Sequence, residues 1–163
     1  MEEYGLFPIW SGWLSQAFSS SHNGIDIGWY IKDGSQGKLP CRAYKSGVVV
    51  ASSENDGAGA TYVVVKHDDG VTCQFSAYWH LVKGSEIKLG TQVKQGDFIG
   101  TRGSTGISSG VHLHFMLTKP LPSGTAYSWN TLMNNAVNPV PYLYYIDGDH
   151  IECDGVQKMP TVS

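Results

Sequence analysis

The amino-acid sequence predicts an all-β, mainly antiparallel domain, and three observations carry that reading. Twenty glycines and a 12% aromatic content, with few stretches of helix formers, favour short strands joined by tight turns. From Gly47 onward, apolar residues recur at period two or in short β-branched runs. An Asp-Gly pair, Asp69-Gly70, separates two of those runs and marks a hairpin. At 163 residues and 41% hydrophobic content, the chain has material for one sizeable core and no room for a second full domain.

In chain order, residues 1–18 read as an aromatic-rich lead-in that packs on the domain. An Asn-Gly turn at Asn23-Gly24 then feeds the strand IDIG. GVVVA, TYVVVKH and VTCQFSAYWHL follow as strands, the last two pairing antiparallel about a turn at Asp68-Asp69-Gly70. In VKGSEIKLGTQVKQGDFIGTRG, glycines recur too often to leave room for a helix of normal length. GSTGISSG reads as a flexible loop delivering the chain into VHLHFMLT, a strand by alternation. SGTAYSWNTLMNNAVNP has a polar start near Ser123 and a stop at Pro139, so one short helix is expected there. After PYLYY the sequence turns polar. A compact domain over residues 1–141 with a tail or linker over 142–163 is the expected organisation.

Composition narrows the partners. A formal net charge of -3 with 15% charged residues offers no basic field, which argues against nucleic acid. No stretch is long and apolar enough to span a bilayer, which argues against a membrane role. The start, with Glu2 and Glu3 and no basic region before an apolar run, does not read as a secretory signal. Cys41, Cys73 and Cys153 are odd in number, widely spaced and without a CxxC pair, so they read as structural or incidental thiols. One disulfide plus a free thiol is the alternative.

Four of the six histidines sit where they suit a metal site. If Ile25 and Ile27 face the core, Asp26 faces the opposite side, and the turn can bring His22 beside it. Imidazole plus carboxylate is a normal pair for zinc, although an Asp near a turn also caps backbone amides. In His112-Leu113-His114, alternation puts Leu113, Phe115 and Leu117 inside and His112, His114 and Met116 on the other surface. A pair of solvated surface histidines fits that pattern equally. In YWHL, the same rule groups Phe75, Ala77 and Trp79 as core and projects Tyr78 and His80 together from the other face. His67 reads as a turn or surface residue and His150 as a solvated tail residue.

Taken together, HNGID, YWHL and GSTGISSGVHLHF stand in the order and spacing of the lysostaphin-like (M23) zinc metallopeptidases. LPCRAYKSGVVVA, VKHDDG and VKQGDFIG also resemble that family's framework strands and turns, so the resemblance runs from about Ser15 to Lys119. It implies a barrel-sandwich hybrid β domain with an open cleft. It also implies His22, Asp26 and His114 as ligands of one Zn2+ per chain, with His80 and His112 as the catalytic pair. The implied function is zinc-dependent hydrolysis of peptide crosslinks or bridges of bacterial peptidoglycan, whose stem or cross-bridge peptide would be the partner. Members of the family divide among glycyl-glycine bridges, D-alanyl-glycine links and direct crosslinks to a diamino acid.

Tyr78, placed beside His80, is the candidate substrate contact. Val111 stands where the family usually has proline, Trp79 where alanine is common, and WYIKDGSQGK lengthens a loop expected to wall the groove. The expected site of action is the bacterial cell wall, reached as a monomer or part of a longer chain, from a phage tail or a holin-released endolysin. The alternative is a catalytically weak, peptidoglycan-binding or regulatory module. A biotinyl or lipoyl carrier domain has a related topology, but its lysine-bearing hairpin tip is missing at Asp68-Asp69-Gly70.

Overall fold

The structure, a computed structural model, describes residues 4–29, 36–67, 73–152 and 161–162. β1 (Gly5–Leu6), β2 (Ser11–Gln16), β3 (Ile25–Gly28) and β4 (Pro40–Arg42) lead into the longer strands β5 (Gly47–Ser53), β6 (Thr61–Lys66) and β7 (Phe75–Leu81). β8 (Gln92–Val93), β9 (Phe98–Thr101) and β10 (His112–Thr118) follow. The one α-helix among the described residues, α1 (Trp129–Asn134), precedes β11 (Ala136–Val137), β12 (Leu143–Ile146), β13 (His150–Glu152) and β14 (Thr161–Val162). The main sheet runs β13-β2-β3-β10-β7-β6-β5-β8, with β11 also on β10. Its pairings are antiparallel except β13 with β2, so the expected mainly antiparallel β class is observed.

The hairpin partners β6 and β7 pair antiparallel as expected. Their turn at Asp68-Asp69-Gly70 lies outside the described residues, as do Cys153 and the centre of the long loop at 30–35. The helix begins later than Ser123 because its cap is Ser128, whose Oγ accepts the Thr131 N–H at 3.0 Å. Residues 143–152, expected as a polar tail, are instead built into the fold. β12 lies parallel to β1 and β13 parallel to β2, Leu143 is fully buried, and Arg42 Nη2 sits 2.6 Å from Asp149 Oδ2. Two- to four-residue parallel strands have too little alternation to stand out from their polar neighbours.

The central strands are covered on both faces. One core holds Ile25, Ile27, Tyr78, Leu113, Phe115 and Leu117, and the other holds Phe75, Ala77, Trp79 and Met116. His67 belongs inside rather than at the surface. It is 2% exposed, with Nδ1 donating to the Ser46 carbonyl at 2.9 Å and Nε2 2.9 Å from Ser76 Oγ.

Candidate metal centre

β3 and β10 are neighbours, and their register sets Asp26 opposite His114 and Gly28 opposite His112. Ile25 and Ile27 are buried, so alternation turns Asp26 to the cleft side. His22 reaches the same point from a tight turn in which it exchanges both backbone hydrogen bonds with Ser19. Gly24 permits this approach, since a Cβ there would fall 2.4 Å from the Phe115 carbonyl oxygen and 2.9 Å from Met116 Cγ.

Three donors therefore surround one point. Asp26 Oδ1 lies 2.9 Å from His114 Nδ1 and 3.3 Å from His22 Nε2. One donor atom from each of the three lies within 4.8 Å of the others. The outward ring nitrogens are tied down: His22 Nδ1 donates to the Ala17 carbonyl at 3.0 Å and His114 Nε2 to Asn23 Oδ1 at 3.1 Å. A proton held on the outer nitrogen leaves the inner lone pair for a metal. Two such imidazoles and a carboxylate, partly buried at a cleft, fit Zn2+ with room for a fourth ligand.

His80 and His112 stand beside this trio. His112 Nε2 is 3.8 Å from Asp26 Oδ1, and its ring centre is 4.7 Å from that of His80. Their outer nitrogens are also engaged, His112 Nδ1 with the Gly110 carbonyl at 2.9 Å and His80 Nδ1 with the Thr105 carbonyl at 2.7 Å. His22, His112 and His114 thus turn an inner nitrogen toward the same carboxylate, and the His80 ring stands beside them, 4.7 Å from that of His112 and 6.3 Å from that of His114.

His80 arrives there by an irregularity. Thr61 pairs with Leu81 and Tyr62 with Trp79, so His80 is an extra residue in β7, and its φ is +69°. The left-handed conformation costs about 1–2 kcal/mol for a non-glycine residue. Thr105 holds it: the carbonyl accepts from His80 Nδ1, while the hydroxyl donates to the Leu81 carbonyl and accepts from the Thr61 N–H. The next residue of that loop, Gly106, has φ +76°, and a Cβ there would lie 2.5 Å from that of Ala60. GSTGISSG is therefore a latch on the bulge as well as a connection.

The bulge also corrects the expectation for Tyr78. Alternation put Tyr78 and His80 on one face, but with His80 inserted, Trp79 and His80 face the cleft while Tyr78 and Leu81 face the larger core. Tyr78 is 0% exposed and its hydroxyl accepts the Tyr44 N–H at 2.8 Å. It cannot meet a substrate. Asn23 and Thr105 were missed as site residues because their contacts join positions 91 and 25 residues apart.

The electrostatics suit metal binding. Burial opposes ionisation of Asp26, yet the hydrogen bond with His114 and the nearby imidazoles of His114, His112 and His22 hold its carboxyl below the usual range. Burial lowers the His80 pKa, partly offset by the Thr105 carbonyl and reinforced by His112 and His114. His150 is exposed on β13, with its ring edge-on to Trp10. Cys41 and Cys73 are buried free thiols, and burial pushes their pKa values up to about 12 and about 11. They lie outside the ligand trio.

Comparisons with known proteins bear on this geometry. The family model for peptidase family M23 matches residues 20–139. Over 141 residues the chain is 31% identical to glycyl-glycine endopeptidase ALE-1 of Staphylococcus capitis, covering 86% of this chain and 32% of that relative's length. The catalytic domain of lysostaphin from Staphylococcus simulans superposes with a TM-score of 0.57 at 26% identity, covering 83% of this chain and 88% of that one. The catalytic domain of the prophage-encoded M23 protein EnpA from Enterococcus faecalis gives a TM-score of 0.52 at 27% identity, over 79% and 84% of the two chains. With HNGID and HLH brought together around Asp26 and the family model spanning both, the chain belongs to peptidase family M23.

Proposed function

We propose that the chain is a zinc-dependent endopeptidase that hydrolyses peptide crosslinks or bridges of bacterial peptidoglycan. The observation that carries this reading is the convergence of three imidazoles on Asp26 with the His80 ring against those of His112 and His114, each of the four with its outer nitrogen held by an oxygen acceptor. His22, Asp26 and His114 are the metal-holding residues in this reading. Zinc bound there supplies an acidified water and a polarised carbonyl. His80 and His112 handle protons. Burial favours neutral His80, the form that accepts a proton at Nε2, and His112 completes the pair as donor to the developing oxyanion.

Action at the cell wall follows from the substrate. A phage tail or endolysin source is supported by the likeness to a prophage-encoded family member, and the domain would act as a monomer or within a longer chain. The test is incubation of the protein with purified crosslinked peptidoglycan while newly freed amino groups are counted. They should appear with the protein, stop after chelation and return with added zinc. Zinc-loaded protein that sediments with peptidoglycan yet frees no amines would establish a binding module instead.

A further inference from the structure

Beside His80 and His114 lies a cavity of about 290 Å³ walled by Trp79, Trp129, Met133 and Ile107, with Asp56 among its lining residues. Trp79 is fixed in place. Tyr62 stacks on it at 4.1 Å, and its Nε1 donates to Asp56 Oδ2 at 2.9 Å. Trp129, at the start of α1, brings its ring centre within 5.6 Å of that of Trp79 yet is 51% exposed, and Ile107 is 84% exposed. Exposed apolar side chains grouped at a cleft mark a surface that a ligand covers.

Asp56 adds the polar end. Its Oδ1 accepts from the Ala58 and Ala60 N–H groups, and among the described residues Oδ2 accepts only from Trp79, which leaves Oδ2 able to take another donor. Slight burial works against its ionisation, but these hydrogen bonds win and hold the carboxyl below its usual range. Among the described residues, no cation forms an ion pair with it. A path of indole and thioether surface ending at an uncompensated carboxylate is complementary to a flexible methylene chain tipped by a nitrogen donor. Glycine has nothing to place there.

We propose that this cavity is a specificity subsite for the methylene side chain of a diamino acid in the substrate peptide, with the chain's terminal nitrogen donating to Asp56 Oδ2. The subsite rests on the peptidase reading above and decides between its substrate classes. It favours peptides with a lysine-like residue beside the cleaved bond over glycine-only bridges. The nitrogen can be a free ammonium or the N–H of an amide link, since both donate.

The test uses four synthetic peptides of one backbone that carry lysine, norleucine, alanine or glycine at that one position. Binding is read from tryptophan fluorescence and cleavage from kcat/KM, on the parent, Asp56→Asn and Trp129→Ala. In the parent, lysine should bind about fivefold better than norleucine, a modest gain because the carboxylate is exposed. Either should bind about tenfold better than glycine. Asp56→Asn should erase the lysine–norleucine difference and keep the preference of both over glycine, and Trp129→Ala should weaken both.

Equal binding of glycine and lysine peptides by the parent, or an equal loss for all four peptides in Asp56→Asn, overturns the subsite. If Asp56→Asn fails to fold, the norleucine comparison in the parent and the Trp129→Ala series still decide it. Selective lysine binding without cleavage sinks the peptidase reading and leaves the subsite standing. Glycine and lysine peptides cleaved equally well do the reverse.

Discussion

Replacing Asn23 isolates the part of the metal centre that is least visible in the sequence. Its Oδ1 accepts from His114 Nε2 at 3.1 Å, and its Nδ2 reaches Met133 Sδ at 2.9 Å. Asn23→Ala removes the acceptor that holds the His114 proton on Nε2, so part of the population will carry it on Nδ1, where the metal must bind. One partly buried hydrogen bond contributes about 0.5–1.5 kcal/mol. Loss of a partner that orients a metal-bound histidine typically costs about 10–100-fold in affinity. We therefore expect zinc affinity to fall by one to two powers of ten, measured by competition with a chromophoric chelator. Asn23→Asp, which keeps an acceptor in place, should bind zinc at least as tightly as the parent. The fold should survive in both, because the amide's other contact is a weak one to sulfur. An Asn23→Ala protein with parental zinc affinity would refute the orienting role.

Other expectations follow from the same geometry. Asp26→Ala should abolish zinc binding and turnover while leaving the circular dichroism of the strands intact. Activity should fall on acidification: a histidine with a lowered pKa works while neutral, so its contribution is present above the folded pKa and lost as pH drops through it, below ~6.5. Zinc content followed over the same range separates this loss from proton competition at His22 and His114. Arg42→Met should destabilise the domain by about 1–3 kcal/mol in urea unfolding, because it leaves Asp149 without its 2.6 Å partner. An unchanged midpoint would show that the Arg42–Asp149 pair adds nothing to stability.

Strand alternation made much of the site readable. It set Asp26 against Ile25 and Ile27, and His112 and His114 against Leu113, and the observed register brings both sets together. The same rule failed one strand away. A sheet covered on both faces gives no contrast between core and solvent, so the face opposite Phe75, Ala77 and Trp79, which holds Tyr78, read as the open one although it is the larger core. The bulge at His80 then carried that histidine to the side of Trp79 and away from that of Tyr78, and nothing local in YWHL announces a left-handed histidine. What fixes it is Thr105, in a loop that composition alone describes as flexible. Asn23 is legible as a turn residue, but its bond to His114 depends on tertiary packing. The strands at 143–152 escaped for another reason: their pairing is parallel and each is only three or four residues long, too short for side chains to carry a pattern.

The most direct test of the account is zinc content and peptidoglycan cleavage measured together on the parent, His80→Ala, His112→Ala and the double variant. Both histidines lie beside the ligand trio and outside it, so each variant should keep one zinc per chain. Turnover should fall by about 10² to 10⁴ in each single variant. The double variant should lose much less than the product of the two, because in the proposed reading the pair serves one transition state. A single variant that cleaves at the parental rate with its zinc in place would contradict the account.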